Sequence, residues 1–354
     1  MKKTLFIILL LILIAAIYLL IAPSPISAVS WSPKEDKGFT GSFAANEKLD
    51  ELQYLIKDEC VGCEAPVISP DGNYIYAGEE DGDILRFEIN GGTSQIIANT
   101  GGRPLGLHFS PAGDLIVADA KAGLLRCDVN NGDIEILTST YEGEPLGFVD
   151  DLDIDSSGLI YFSDASDTYG FDEVMYDLME HQPHGALYSY DPETKTTTRL
   201  LDDLYFANGV ALAVDETYVL FNETGTYSVS KYWLKGTKKG TREYVFDNLP
   251  GFPDNIRTGA DGIYWLTLVA PRQKSLDDLM SKPDIRNMIM KLPQSVQPAA
   301  THYGCVLGIT GEGEVRYNFQ STHPKFVEIT TVQPFQDKLY LGSLVDTGIA
   351  YLQL

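Results

Sequence analysis

The stretch SPDGNYIYAGEEDGDILRFEI (69–89) decides the fold. It opens on a Ser-Pro-Asp-Gly turn and runs through a short strand rich in aromatic and β-branched residues. It turns again at EEDGD and leaves along a second strand. Alone this is one hairpin, but the chain repeats it. SPAGDLIVADAKAGLLRCDV (110–129) is a second copy, and DSSGLIYFSDAS (155–166) is a third, whose partner strand GALYSYDP (185–192) is delayed by an insertion. AVDETYVLFNETGTYSVSKYWL (213–234), GADGIYWLTL (259–268) and FQDKLYLGSLVDTGIAYLQL (335–354) complete the series.

Six copies, mostly roughly 40–60 residues apart, suit four-stranded blades. The expected fold is therefore all-β, a six-bladed β-propeller over residues 38–354. A solenoid would need terminal caps, and a two-sheet sandwich would not repeat so regularly. The last copy stops after its third strand. Its outer strand is expected from within residues 38–57, which would close the ring and leave no open edge. Two insertions, FDEVMYDLMEHQPH (171–184) and SLDDLMSKPDIRNMIMKL (275–292), carry Leu, Met and Ile at helical spacing. They read as short helices forming a lid over one mouth of the ring.

The chain has 354 residues, 44% of them hydrophobic, enough for a large core. Fifty acidic residues against 26 basic ones give a net charge of −24, which repels nucleic acid and excludes it as a partner class. Residues 1–22, MKKTLFIILLLILIAAIYLLIA, place two lysines before an apolar run near the lower limit for crossing a bilayer. They read as a retained transmembrane anchor with the propeller on the extracytoplasmic side: periplasmic, extracellular or lumenal. A signal peptide cleaved after Ala28, giving a secreted protein, is the alternative, and Ile26 fits that cleavage site poorly. Residues 23–37 read as a short Pro/Ser stalk. Cys60 and Cys63 are open to two readings, a local disulfide or a pair of thiols; no second such pair exists to build a zinc site.

Candidate site residues come from one offset. In NLPGFPDNIR (248–257), Asp254 stands eight residues before Gly262, the turn position ahead of the fifth repeated strand. The same step leads from Glu216 to Asn208, from Gly158 to Asp150, from Gly72 to Glu64 and from Gly113 to Leu105. In the last copy it leads from Asp337 to Ile329, or to Thr330 if the turn is shorter. In a propeller these positions begin the innermost strands and ring one end of the central channel. Glu64, Asp150, Asn208 and Asp254 bring oxygen side chains to that ring. Carboxylates crowded in this way repel unless a cation lies among them. All-oxygen ligation of flexible geometry suits Ca²⁺, with another divalent cation as the alternative, better than Zn²⁺.

With these residues in view, KYWLKGTKKGTREYVFDNLPGFPDNIR (231–257) closely resembles the strictosidine synthase-like family, in the branch of the adipocyte plasma-membrane-associated proteins. GRPLGLHFSPAGDLIVADAKAGLL (102–125), LDIDSSGLIYFSDAS (152–166) and LYFANGVALAVDET (204–217) resemble the corresponding blocks, so the likeness runs from about residue 50 to the end. More distant relatives are the calcium-centred propellers of the paraoxonase, diisopropyl fluorophosphatase and gluconolactonase groups. The resemblance implies metal ligation by Glu64, Asp150, Asn208 and Asp254, with Asn255 as a possible addition. It also implies a single-pass membrane protein with arylesterase-like activity. At the Asp150 slot those distant families usually have Asn, so this chain adds a charge there. Two departures stand out. The paraoxonase histidine is replaced by Leu105, and the glutamate of true strictosidine synthase aligns with Thr330.

Three readings follow. The first is a membrane-anchored, Ca²⁺-dependent hydrolase of esters or lactones, with Asp150 or Asp254 as nucleophile or base. In this reading His184 and His108 are candidate proton carriers. The second is a non-catalytic propeller braced by the metal, serving as a binding module or scaffold. The third, a strictosidine synthase-like carbon–nitrogen lyase, has Thr330 against it. Oligomeric state is left open.

Overall fold

The computed structural model describes residues 21–259 and 262–354, together with residues 3, 4, 6, 7, 10, 18 and 19 of the N-terminal stretch. Six four-stranded antiparallel sheets form the six blades of a propeller. Their inner strands are Glu64–Ile68, Pro104–Phe109, Val149–Ile154, Ala207–Leu212, Gly251–Thr258 and Ile329–Phe335. Each packs on the next, and the sixth returns to the first.

The ring closes as the sequence requires. Strand Gln53–Lys57 pairs antiparallel with the C-terminal strand Gly348–Gln353, placing Gln53 opposite Tyr351 and Lys57 opposite Gly348. The sixth sheet therefore joins both ends of the propeller, and the C-terminal strand keeps no open edge.

The repeated turns share one geometry. Gly72, Gly113 and Gly158 take φ values of +74°, +92° and +90°, and each amide donates to the carbonyl three residues back at 2.8–2.9 Å. Glycine reaches this left-handed region without a Cβ clash. In blade 4 Glu216 fills the position at φ +54°, and its carboxylate accepts the Ser156 amide at 2.8 Å. Between the sheets lie separate apolar clusters, such as Leu107, Val117 and Leu125 between blades 1 and 2. Each blade face is thus buried against its neighbour, and the channel is left to polar groups.

The insertions form three short helices: α1 (Val174–Glu180), α2 (Lys274–Met280) and α3 (Pro283–Ile289). They cover one mouth of the ring, as their spacing suggests. Residues 23–37, expected to be a stalk, instead lie across these helices as a strap. Val29 N donates to Glu180 O at 2.9 Å and Trp31 N to Met280 O at 3.0 Å. Ile26 is buried with Met179 and Met290. Arg286 of α3, wholly buried, donates to carbonyls of Val29, Met179 and Met280 and so knots strap and lid together. The proline- and serine-rich composition that reads as a spacer also suits an extended segment docked edge-on.

The anchor expected over residues 1–22 falls largely outside the described residues. Among those described, no helix is long and apolar enough to cross a membrane. Cys60 and Cys63 form a disulfide, which settles the alternative left open above.

Candidate metal and active site at the covered mouth

Each inner strand carries a register irregularity, which falls at the ring slot in blades 1 to 5 and beside Thr330, just after Glu328, in blade 6. The shifts lie between Glu64 and Val67, Pro104 and Gly106, Val149 and Leu152, Ala207 and Val210, Pro253 and Ile256, and Ile329 and Thr331. A bulge re-aims the side chains it carries. Here it turns the first residues of each strand out of the sheet and towards the axis. The inner strands approach so closely that a Cβ on Gly209 would lie 2.5 Å from Asp254 O, and one on Gly106 2.8 Å from Asp150 O. Glycine after the ring slot is therefore obligatory in blades 2 and 4.

Glu64, Asp150, Asn208 and Asp254 converge on the floor of one cavity of about 210 Å³ under the lid. All four are buried. The backbone around Asp254 is held by its neighbours: Thr224 Oγ1 donates to Pro253 O at 2.7 Å, Asn222 Nδ2 donates to Asp254 O, and Thr267 Oγ1 donates to Asn255 O at 3.2 Å. This is why the Pro-Asp-Asn stretch acts as a corner of the site and not as an ordinary turn.

The electrostatics divide the buried acids into two kinds. Asp151 is paired with Arg257, whose Nη1 lies 2.8 Å from both carboxylate oxygens, and it also accepts the Val210 amide at 2.9 Å. Asp153 accepts the Leu212 amide at 2.7 Å. Asp164 accepts the Phe148 and Gly147 amides. These acids stitch blades and loops together. At the ring, Glu64 lies 3.5 Å from the buried guanidinium of Arg103. Burial nonetheless pushes its carboxyl up to about 7, against the pull of Arg103. Asp150 and Asp254 have no cationic partner among the described residues. Burial, then the neighbouring ring carboxylates, holds both well above the ordinary carboxylate range. With Arg257 matched to Asp151 and Arg103 to Glu64, the ring carboxylates of Asp150 and Asp254 are left without a cationic partner among the described residues, and ionising them together would suit one divalent cation.

Donor chemistry agrees with that demand. Glu64 Oε2, Asn208 Oδ1 and Asn255 Oδ1 are buried oxygens without hydrogen-bond partners, which is rare in a folded interior unless something else satisfies them. Among the described residues no three His, Cys, Asp or Glu side chains are poised as a metal cluster by themselves. Glu64, Asp150 and Asp254 share the cavity without forming such a group, and Asn208 brings an amide to the same lining. Asn255 does not line the cavity. Its Nδ2 donates to Thr331 Oγ1 at 2.6 Å and to Glu64 Oε1 at 3.4 Å, so it braces Glu64 from behind.

The histidines are elsewhere. His184 Nε2 is 2.9 Å from Glu180 and Nδ1 is 3.5 Å from Asp167. The Asp167 and Glu180 carboxylates hold it protonated, up to about 9, and it does not reach the cavity. A proton carrier fixed as imidazolium outside the cavity does not serve the ring as a base. His108 stands near the far end of its strand, 3.2 Å from Asp153 Oδ1, on the opposite face of the propeller.

Blade 6 holds a residue that the offset missed. The left-handed turn residue there is Gln336, at φ +54°, and not Asp337. Eight residues before Gln336 stands Glu328, which lines the cavity with Glu64, Leu105, Asp150, Asn208 and Asp254. Glu328 is itself left-handed at φ +46°, and burial raises its carboxyl. Thr330 is buried and off the cavity. Choosing the correct turn residue was the only signal needed. Most of the remaining wall is apolar: Leu105, Phe148 and Phe206 from the blades, with Phe171, Leu178 and Met280 from the lid.

The family model for strictosidine synthase matches residues 150–237, and that for the strictosidine synthase-like N-terminal region matches residues 41–87. Protein strictosidine synthase-like 4 of Arabidopsis thaliana is 36% identical over 289 residues, covering 80% of this chain and 77% of its own length. The adipocyte plasma membrane-associated protein of Salmo salar is 34% identical over 356 residues, covering 94% of this chain and 85% of its own. Among solved structures, a gluconolactonase of Xanthomonas campestris superposes with a TM-score of 0.63 at 16% identity, over 94% of this chain and 99% of that one. A calcium-binding regucalcin of Agrobacterium tumefaciens gives 0.59 at 14% identity, over 87% and 92%. These two likenesses speak for the fold. The chain belongs to the strictosidine synthase-like family.

Proposed function

We propose that this protein is a membrane-associated, Ca²⁺-dependent hydrolase of esters or lactones. One observation carries the reading. Oxygen side chains from four blades meet on the floor of one covered, largely apolar cavity, and two of the carboxylates, Asp150 and Asp254, have no cationic partner among the described residues. Glu64, Asp150, Asn208 and Asp254 would hold the ion. Bound there, Ca²⁺ supplies Lewis-acid polarisation of a carbonyl or phosphoryl oxygen.

The remaining work falls to the chain itself. The lid helices and their strap exclude water from the cavity and orient the substrate over its polar floor. Asp150 or Asp254, once ionised, accepts the proton of an attacking water or attacks directly. Asn208 and Asn255 keep the carboxylates apart and aimed. The names of the solved neighbours, gluconolactonase and regucalcin, support lactone chemistry and calcium, and the name of the Salmo salar relative supports membrane association. The extracytoplasmic position remains part of the proposal, and the Cys60–Cys63 disulfide favours it.

Glu328 favours a second reading. The case against amine–aldehyde condensation rested on Thr330, and a carboxylate does stand on the blade 6 wall two residues earlier.

The test assays the full chain on phenyl acetate and a lactone panel, in Ca²⁺ and in EGTA, beside Asp254→Ala. Metal-dependent turnover lost in the variant supports the hydrolase. A melting temperature that falls with EGTA, without turnover of any ester, supports the metal-braced scaffold. Condensation of an amine with an aldehyde, abolished by Glu328→Gln, supports the lyase.

A further inference from the structure

Resting on the hydrolase reading, we infer that the cavity takes uncharged substrates whose acyl or ring substituent is hydrocarbon, and that it rejects polyhydroxylated lactones. Charge sets the first limit on the substrate. Among the described residues the cavity wall contains no lysine, arginine or histidine, and its floor is acidic. An anionic substrate would meet carboxylates with no basic side chain to hold it.

Free hydrogen-bonding groups set the second limit. Besides the ring, the wall carries donors on Thr224, Tyr227 and Gln273. Each is already committed to the protein. Thr224 Oγ1 donates to Pro253 O at 2.7 Å, and the Tyr227 hydroxyl to Asp277 Oδ1 at 3.0 Å. Gln273 Nε2 donates to Ala299 O at 3.0 Å and to Thr301 Oγ1 at 3.1 Å. A sugar-derived lactone brings several hydroxyls into the site. Away from the acidic floor they would lose water and find no free side-chain donor among the described residues, a mismatch that pockets discriminate against steeply.

The lid sets the third. Met175, Leu178 and Leu276 face the cavity from two helices contributed by different blades, opposite Leu105 and Phe206. Leu105 fills the one ring slot whose side chain bears no oxygen, so the apolar wall reaches down to the floor beside blade 2. A hydrocarbon chain lying along this wall would be covered on both sides. Methionine on the lid side adapts to differently shaped chains.

The experiment uses the full chain and soluble substrates. One arm measures kcat/KM for p-nitrophenyl acetate, propionate, butyrate and valerate, and for δ-valerolactone, δ-nonalactone and glucono-δ-lactone. Each added methylene should raise kcat/KM about four-fold, the equivalent of ~0.8 kcal/mol of transfer free energy. Glucono-δ-lactone should fall at least about a hundred-fold below δ-nonalactone. The second arm measures calorimetric binding of non-hydrolysable δ-lactams with the same alkyl series, in Ca²⁺ and in EGTA. Leu178→Asn should flatten both slopes while Leu178→Met keeps them, and matched melting curves guard against misfolding. Turnover without a chain-length slope, or with glucono-δ-lactone preferred, overturns the substrate assignment and leaves the hydrolase intact. Lactam binding that tightens with chain length, without hydrolysis of any ester, retains the apolar ligand and overturns the hydrolase. Lactam binding indifferent to chain length overturns the inference in either case.

Discussion

Chelating the divalent cation while raising the pH should lay bare the unmatched charge at the ring. In metal-free protein Glu64 moves from its ordinary 4.5 to about 7 on folding. At 1.36 kcal/mol per pH unit that is worth about 3 kcal/mol. Because the folded value is the raised one, this contribution is complete below about pH 4.5 and is lost as the pH climbs through about 7. Asp150 and Asp254 shift in the same direction and steepen the fall. An unfolding entropy of about 0.7 kcal/mol/K for a propeller of this length makes 3 kcal/mol about 4 °C of melting temperature. Asp164 and Asp177, both raised by burial to about 7, add a decline that calcium does not touch. The diagnostic quantity is therefore the melting temperature in Ca²⁺ minus that in EGTA, followed by calorimetry from pH 5 to pH 8. It should grow with pH as the ion takes over from protons. At 1 mM Ca²⁺ and a Kd on the order of 10 µM it should correspond to ~2.7 kcal/mol at the upper end. Asp254→Asn should shrink the difference at every pH. A difference that is absent, or constant across the range, would refute the charge argument and the metal site with it.

Three further outcomes test the supporting structure. Arg257→Met leaves Asp151 buried without its partner and should lower stability in urea by roughly 3–5 kcal/mol, with part of the loss recovered on adding Asp151→Asn. Trp31→Ala removes a stack on His181 at 4.1 Å. Amide exchange should then speed up about ten-fold in Val174–Glu180 and Lys274–Met280, while the blades stay protected. Deleting residues 53–57 uncovers the edge of Gly348–Gln353, and size-exclusion chromatography should show soluble aggregates in place of the wild-type species.

The propeller was legible because its signals are local. The Ser-Pro-Asp-Gly turn at 69–72 and its relatives announce hairpins through chemistry that acts within four residues, and the missing outer strand of blade 6 follows from counting strands. The ring was legible for a related reason, since a fixed hairpin makes the distance from turn to bulge nearly constant. Blade 6 broke the pattern by turning at Gln336, a residue with no turn signature, so Glu328 escaped notice. The strap, the Arg103 and Arg257 pairings and the far-side position of His108 were not legible. Each depends on which distant segments meet, and no spacing along the chain records that. His184 misled because a histidine beside a candidate lid reads as chemistry until Glu180 and Asp167 are seen to hold it.

The docking of residues 23–37 across α1–α3 brings the start of the strap to the covered mouth. Were the proposed anchor over residues 1–22 to lie in a bilayer, that mouth would face it, and lipophilic compounds dissolved there would arrive by lateral diffusion without crossing bulk water. A shortened protein beginning at residue 38 would keep every blade and lose the latch on its cover. Weak activity in such a fragment would report a loosened entrance and would say little about the chemistry on the floor.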